Sequence, residues 1–163
     1  MKALKIFLVC AVFFLLERVL FARIEIFSLA PWLGFAFCLI GAAVSADMHT
    51  AIITAAVYGL VSDLAGGGAT GSAMISFVLS AGLVHLLAGR IFRNSLAVSL
   101  SAVFVVGIFG EMLYYILNSR GLENFSFVGM LWSVALPLSA INTAVAFVLY
   151  PLSKRIFAGR RIV

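Results

Sequence analysis

Charged residues are scarce in this chain of 163 residues. Only 10% of them are charged and 64% are hydrophobic, whereas a soluble domain typically carries about 25% charged and 45–50% apolar residues. A water-soluble fold of this length cannot hide so much apolar surface. The composition therefore argues against a soluble domain and predicts an all-α polytopic membrane protein.

Cysteine is scarce as well. The two cysteines, Cys10 and Cys38, both lie inside apolar runs. A disulfide framework needs paired cysteines that face an oxidising compartment, and a thiol oxidoreductase needs reactive thiols that meet water. We therefore interpret both residues as small, buried hydrophobic side chains.

Long polar segments are also missing, so the apolar stretches define the organisation. They predict one transmembrane domain, residues 1–163, with six helices at residues 4–21, 30–46, 50–64, 71–88, 95–117 and 127–150. A spanning helix needs about 20 residues, and only the third stretch is short. At about 1.5 Å per residue it covers roughly 22 Å. It either spans with help from flanking residues or dips into the bilayer as a hairpin with the fourth.

Lysine and arginine are distributed unevenly between the two predicted sides of the membrane. With the amino terminus in the cytoplasm, the basic residues of the inner side are Lys2, Lys5, Arg90, Arg93, Lys154, Arg155, Arg160 and Arg161. Only Arg18, Arg23 and Arg120 fall on the outer side. This bias predicts that both termini are cytoplasmic. The net charge of +5 is then explained by basic flanks at the membrane surface, and no nucleic-acid partner is expected.

The three prolines are predicted to mark helix boundaries or kinks. Pro31 lies at the start of the second helix and Pro151 follows the sixth. Pro137 lies inside the sixth helix, where it removes one backbone hydrogen bond and its ring displaces the carbonyl four residues earlier. We therefore expect a kink at Pro137.

Glycine is concentrated in one place, SDLAGGGATGS at residues 62–72. Gly59, Asp63, Gly67 and Gly71 follow one another at intervals of four. A continuous helix would place them on one stripe, but successive glycines each cost about 1 kcal/mol relative to alanine in a helix. We therefore interpret the segment as helix, turn, helix, in which glycines adopt positive φ angles and Thr70 caps the fourth helix.

Asp63 has two possible roles in this turn. It can accept hydrogen bonds from backbone N–H groups of the turn or of the fourth helix, whose N-terminal dipole favours an anion. It can instead bind a partner or handle an ion. A phosphate loop is not expected, because no Gly-Lys-Ser/Thr sequence follows and no strand precedes.

Polar residues within membrane segments are costly and are functional candidates by default. Glu17, in the first helix, lies on a face that can point into the bundle. Glu111 shares a face with Tyr115, and either a hydrogen bond inside the bundle or contact with another membrane protein explains it. Asn142 can donate across helices. His85 has no second ligand three or four residues away, so we expect no metal site.

Sequence patterns of intramembrane enzymes are missing too. Lipoprotein signal peptidases need Asn-x-x-Asp motifs, whereas Asp63 follows Gly-Leu-Val-Ser. Phospholipid-forming transferases need several aspartates in one helix, and rhomboid proteases need Gly-x-Ser-Gly. We therefore expect neither enzymatic activity nor a cofactor.

The segment GLVSDLAGGGATGSAMISF resembles a Gly-x-x-x-Asp…Gly-x-x-x-Gly segment of the rod shape-determining protein MreD family, at Gly59, Asp63, Gly67 and Gly71. The segment INTAVAFVLYPLSKR is similar to the family's final helix.

Two further features carry the same resemblance. Pro31-Trp32 opens the second helix, and Asn142 and Pro151 precede basic residues at the end of the sixth. Glu17 departs from the family pattern, which often has another polar residue such as glutamine there. The likeness covers nearly the whole chain.

The resemblance implies a non-enzymatic scaffold of the bacterial cell-elongation (rod) complex in the inner, cytoplasmic membrane. Its main implied partner is MreC, with MreB, RodA and a class B penicillin-binding protein in the wider complex that organises peptidoglycan synthesis and cell shape. The family's six-helix layout is also similar to the substrate-binding subunits of energy-coupling-factor vitamin transporters, which supplies an alternative function. That alternative predicts an Ala-x-x-x-Ala stripe on the first helix, and this helix has none.

Overall fold

The computed structural model describes residues 2–19, 32–66, 71–91, 95–118 and 126–157, and these residues form six helices and no strand. The helices are α1 (Lys2–Val19), α2 (Leu33–Val44), α3 (Met48–Gly66), α4 (Ser72–Ile91), α5 (Leu96–Asn118) and α6 (Phe127–Phe157). The prediction of an all-helical chain with six helices is therefore confirmed.

The helices differ in length more than the sequence suggests. Among the described residues, α3, α5 and α6 are long and apolar enough to cross a membrane. α3 has 19 residues, or about 28 Å, so it is longer than the predicted residues 50–64 and includes flanking residues at both ends. It starts early because Asp47 caps it, and it continues past Asp63 to Gly66. The shortest of the six is α2, with 12 residues and about 18 Å.

The centre of the bundle is α2. All of its residues are buried, and its aromatic side chains contact rings from several neighbours. Phe35 stacks on Phe77 of α4 with ring centroids 4.5 Å apart. Phe37 meets Phe13 of α1 at 4.9 Å and Phe157 of α6 at 5.4 Å. These contacts explain why a helix of only 12 residues holds the middle of the fold.

A tight hairpin is formed by α3 and α4. A Cβ added to Gly59 would lie 2.5 Å from the Cα of Met74, so the two backbones touch at this point. Ala51 and Ala55 of α3 and Ala73 of α4 are buried. Small residues at helix crossings permit such close approach in membranes, which makes the hairpin a compact unit.

A wide turn interrupts α6. Residues Leu131–Ala135 are π-helical, and the N–H of Leu136 donates to the carbonyl of Leu131, five residues earlier. The next residue, Pro137, has no N–H, and in a regular helix its ring would clash with the carbonyl four residues before it. The wide turn accommodates that ring, as π-bulges do.

The other two prolines have different outcomes. The sequence predicts an end of the sixth helix at residue 150, but α6 continues through Pro151 to Phe157. The boundary prediction is therefore wrong. A proline is tolerated inside a membrane helix because neighbouring groups can satisfy the backbone carbonyl that loses its hydrogen bond. Pro31 lies outside the described residues.

Candidate functional site

Asp63 of α3 holds the start of α4. Its Oδ1 accepts from the N–H of Ala73 at 2.9 Å and from the hydroxyl of Ser72 at 3.3 Å. Its Oδ2 accepts from the N–H groups of Gly71 and Met74, both at 3.0 Å. The first N–H groups of a helix have no partner within the helix. A buried carboxylate from the preceding helix supplies one here, where the helix dipole also favours it.

Glycine is required at the positions around Asp63 for different reasons. Gly71 has a φ of +99° and nothing within 4 Å of an added Cβ, so backbone conformation selects glycine there. Gly59 is selected by its contact with the backbone of Met74. Gly67 and the predicted cap Thr70 lie outside the described residues.

Glu17 of α1 joins three helices. Its Oε2 accepts from the hydroxyl of Tyr58 on α3 at 2.5 Å and from the N–H of Gly34 on α2 at 3.3 Å. A Cβ on Gly34 would overlap the Tyr58 ring, so this glycine makes room for the tyrosine. The neighbouring Arg18 turns outward, with its guanidinium carbon 5.5 Å from the centre of the Phe14 ring. Glu17 therefore points into the bundle.

Asn142 of α6 lies between α5 and the start of α2. Its Nδ2 donates to Oε1 of Glu111 at 2.9 Å, and its Oδ1 accepts from the N–H of Trp32 at 3.1 Å. Asn142 and Glu111 are 1% and 4% exposed. The neighbour of Glu111 along the helix face, Tyr115, is half exposed. Glu111 therefore makes a hydrogen bond inside the bundle, to Asn142 on a different helix.

The backbone N–H groups at the start of α2 therefore bond to residues that are distant in the sequence. The side chain of Trp32, at the N-cap position, makes no capping hydrogen bond. Asn142 accepts from the N–H of Trp32, and Glu17 accepts from that of Gly34. Unsatisfied backbone groups cost several kcal/mol in a bilayer, so these two contacts are strong constraints on how α1, α2 and α6 assemble. We call Glu17, Asp63, Glu111 and Asn142 the cap cluster.

Asp47 is a capping residue that the sequence reasoning missed. Its carboxylate accepts from the N–H of His49 at 3.2 Å and from the N–H and hydroxyl of Thr50 at 3.0 and 2.6 Å. These bonds, first that from the Thr50 hydroxyl, hold the pKa of Asp47 below its usual value. The signal was available: an aspartate stands three residues before a threonine at the start of an apolar run, as capping residues do.

His85 and the cysteines take structural positions. Nδ1 of His85 lies 3.1 Å from the carbonyl oxygen of Ala42, so α4 is joined to α2. Cys10 and Cys38 are free and buried. Within the described ranges, no three histidine, cysteine, aspartate or glutamate side chains are grouped so that they could hold a metal ion.

Serine and glycine face each other at the helix crossings of α5. A Cβ on Gly107 would lie 2.6 Å from Oγ of Ser139, whose hydroxyl donates to the carbonyl of Phe104 at 2.7 Å. A Cβ on Gly110 would overlap Oγ of Ser80. Four buried hydroxyls in the described part of the chain have no hydrogen-bond partner: those of Ser76, Ser80, Ser99 and Ser153. At Ser80 at least, a small side chain serves close packing.

The polar groups of the bundle thus have an architectural role in common. Each of the four acidic residues in the described ranges, namely Glu17, Asp47, Asp63 and Glu111, accepts a hydrogen bond from the chain itself. Three of the four also satisfy the first N–H groups of a helix. This arrangement fixes helix positions. It also uses in structural hydrogen bonds the carboxylates that acid–base chemistry would need.

Comparison with known proteins assigns the chain to a family. A family model described as rod shape-determining protein MreD matches residues 1–157, which is nearly the full length. No curated protein and no solved structure matches it. The chain belongs to the MreD family of rod shape-determining membrane proteins, which has a role in cell shape and is not a known enzyme family.

Proposed function

We propose that this chain is a non-enzymatic scaffold subunit of the bacterial cell-elongation complex. Its main partner is MreC, and MreB, RodA and a class B penicillin-binding protein belong to the wider complex. By binding MreC it helps to position peptidoglycan synthesis. The family match over residues 1–157 supports a role in rod shape, and the partners are the proposed part.

The observation that carries the proposal is the way in which the cap cluster joins the helices. Asp63 makes four hydrogen bonds that fix α4 to α3. Glu17 joins α1, α2 and α3, and Asn142 joins α5, α6 and the start of α2. A bundle fixed in this way presents constant outer faces, which is what a scaffold needs in order to hold a partner helix by packing.

We further propose six spans in the inner membrane with both termini in the cytoplasm, in a layout similar to the substrate-binding subunits of energy-coupling-factor transporters. The short α2 is enclosed by protein, so it need not match the bilayer alone. Lys154 and Arg155, near the end of α6, are exposed and agree with a cytoplasmic carboxyl terminus.

Labelling with a membrane-impermeant maleimide tests this topology. Ser126→Cys and Arg155→Cys place exposed thiols near opposite ends of α6, and the native cysteines are buried. In intact spheroplasts we expect labelling of Ser126→Cys, with Arg155→Cys labelled only after lysis. The reverse pattern, or equal labelling of both before lysis, would contradict the topology.

Co-purification with MreC tests the scaffold function. We expect the wild-type chain to retain co-expressed MreC in detergent. Asp63→Ala should lower the amount of the chain in the membrane and the amount of MreC retained with it, because it removes the contacts that fix α4 to α3. Failure of the wild type to retain MreC would contradict the proposal. Mass spectrometry of the same sample for a retained vitamin would identify the transporter alternative.

A further inference from the structure

A groove runs between α1 and α3 on the outside of the bundle. It consists of two adjoining cavities of about 360 and 290 Å³. Both are lined by Phe7 and Cys10 of α1 and by Val57 of α3, so they form one continuous space. We call it the α1–α3 groove. Its volume is in the range of sites that hold small molecules.

The walls of the α1–α3 groove suit hydrocarbon. Besides apolar side chains, its lining includes the hydroxyls of Thr50 and Thr54. Thr50 donates to the carboxylate of Asp47 at 2.6 Å, and Thr54 donates to the carbonyl of Thr50 at 2.7 Å. Both hydroxyl protons are therefore used within the chain. A partner that relied on polar contacts would find few here, whereas an alkyl chain would fill the space by packing.

The length of the groove indicates what kind of molecule fits. On α3 it extends from Thr50 to Val61, about 16 Å, and on α1 from Ile6 to Leu15, about 14 Å. Half of a hydrocarbon core of about 30 Å is about 15 Å. The groove thus has the depth of one leaflet, as a lipid tail has, while a transmembrane helix of a partner would need roughly twice that length.

The two ends of the groove differ in polarity. At the end formed by Leu15 and Val61, the hydrogen bond from Tyr58 to Glu17 joins α1 to α3. At the other end the carboxylate of Asp47 is exposed beside Thr50. A carboxylate at the membrane surface complements the ammonium group of an aminophospholipid headgroup.

We infer that the α1–α3 groove binds one acyl chain of an aminophospholipid such as phosphatidylethanolamine, with the headgroup ammonium at Asp47. The lipid belongs to the leaflet on the side where α3 begins, which we predict to be cytoplasmic. This lipid site depends on the membrane location of the chain and is independent of the proposed scaffold function, so either one holds if the other fails.

Photo-crosslinking tests the position of the acyl chain. The purified chain is reconstituted into vesicles of phosphatidylethanolamine and phosphatidylglycerol that contain phosphatidylethanolamine with a diazirine in its acyl chain. We expect crosslinks on the α1 and α3 residues of the groove. Val57→Trp should reduce them about tenfold, because the larger side chain fills the space shared by both cavities, and Val57→Leu should give an intermediate reduction.

The matched control lies on a different pair of helices. Val105 is also an exposed valine, and it lines a groove of about 430 Å³ between α4 and α5. Val105→Trp should leave the α1–α3 crosslinks unchanged. Crosslinks spread equally over both grooves, or insensitive to Val57→Trp in a chain with wild-type thermal stability, would overturn the inference. Crosslinks from the groove to a second copy of the chain or to MreC would also overturn it.

Headgroup competition tests the role of Asp47. Asp47→Asn keeps an acceptor for the start of α3 but removes the charge. We expect the preference of the site for unlabelled phosphatidylethanolamine over phosphatidylglycerol, measured by competition with the crosslinking lipid, to fall about two- to fivefold, as for an exposed ion pair. An unchanged preference would exclude Asp47 as the headgroup contact and overturn the assignment of an aminophospholipid.

Discussion

The starts of α4 and α2 satisfy the same physical need in opposite ways. Asp63, which caps α4, accepts from N–H groups that follow it by only 8 to 11 residues. The N–H groups at the start of α2 depend on Asn142, 110 residues away, and on Glu17, 17 residues away. The first start is completed within one hairpin, whereas the second needs α1 and α6 to be in place. A local cap fixes one helix against the helix that precedes it in the chain, whereas a distant cap fixes how separate helices assemble.

Among the substitutions that test this comparison, Asp63→Ala is expected to have the largest effect on stability. The substitution removes the acceptor of three N–H groups and one hydroxyl in the α3–α4 hairpin. We expect a loss of about 2–5 kcal/mol in the free energy of unfolding. The measurement is unfolding in mixed detergent micelles, followed by circular dichroism.

The conservative variant separates hydrogen bonding from charge. Asp63→Asn retains one carbonyl oxygen and should recover part of the stability. If Asp63→Ala unfolds at the same denaturant concentration as the wild type, the local cap does not stabilise the hairpin and the comparison fails.

Asn142→Ala probes the distant cap and should have an intermediate effect. It leaves the N–H of Trp32 without its acceptor and buried Glu111 without its donor. We expect a loss of about 1–3 kcal/mol, measured by the same unfolding experiment.

The control for this substitution is the adjacent Thr143→Ala. Its hydroxyl bonds only to the carbonyl of Ser139 within α6, so its removal should change little. Glu111→Gln also retains the oxygen that Asn142 bonds to and should be milder than Asn142→Ala. Equal effects of Asn142→Ala and Thr143→Ala would show that the cap on α2 contributes nothing beyond a local contact.

Asp47 should show the smallest effect, and one that depends on pH. Its hydrogen bonds with Thr50 hold the pKa of this exposed carboxyl below its usual value. The ionised cap therefore stabilises the folded chain above the ordinary aspartate pKa of about 3.9, and this contribution is lost as the pH falls through the lowered value. Between about pH 6 and pH 3, the thermal midpoint of the wild type should fall more steeply than that of Asp47→Asn. Parallel curves would exclude this cap as a source of pH dependence.

The sequence predicts the part of the fold that depends on local pattern. Hydropathy is a property of short windows, so it finds six helices, and the spacing of Gly59, Asp63 and Gly71 indicates the turn between two of them. Asp63 meets backbone groups only a few residues ahead, so its geometry could be anticipated from helix-end chemistry alone.

Long-range pairs could not be predicted in the same way. Glu111 and Asn142 are each recognisable as polar residues in apolar helices, but their separation of 31 residues carries no signal of contact. The start of α2 is also held from outside, because its first N–H groups bond to side chains of other helices. Only the cap at Asp47 was within reach of pattern reasoning and was missed.

The full enclosure of α2 has a consequence for how the molecule responds to its surroundings. A helix of about 18 Å in contact with lipid would thin the bilayer or tilt its neighbours to relieve the mismatch. Because every residue of α2 is covered by protein, changes in bilayer thickness reach it only through the helices around it. We therefore expect thickness to alter the tilt of the outer helices while the geometry around α2 stays constant.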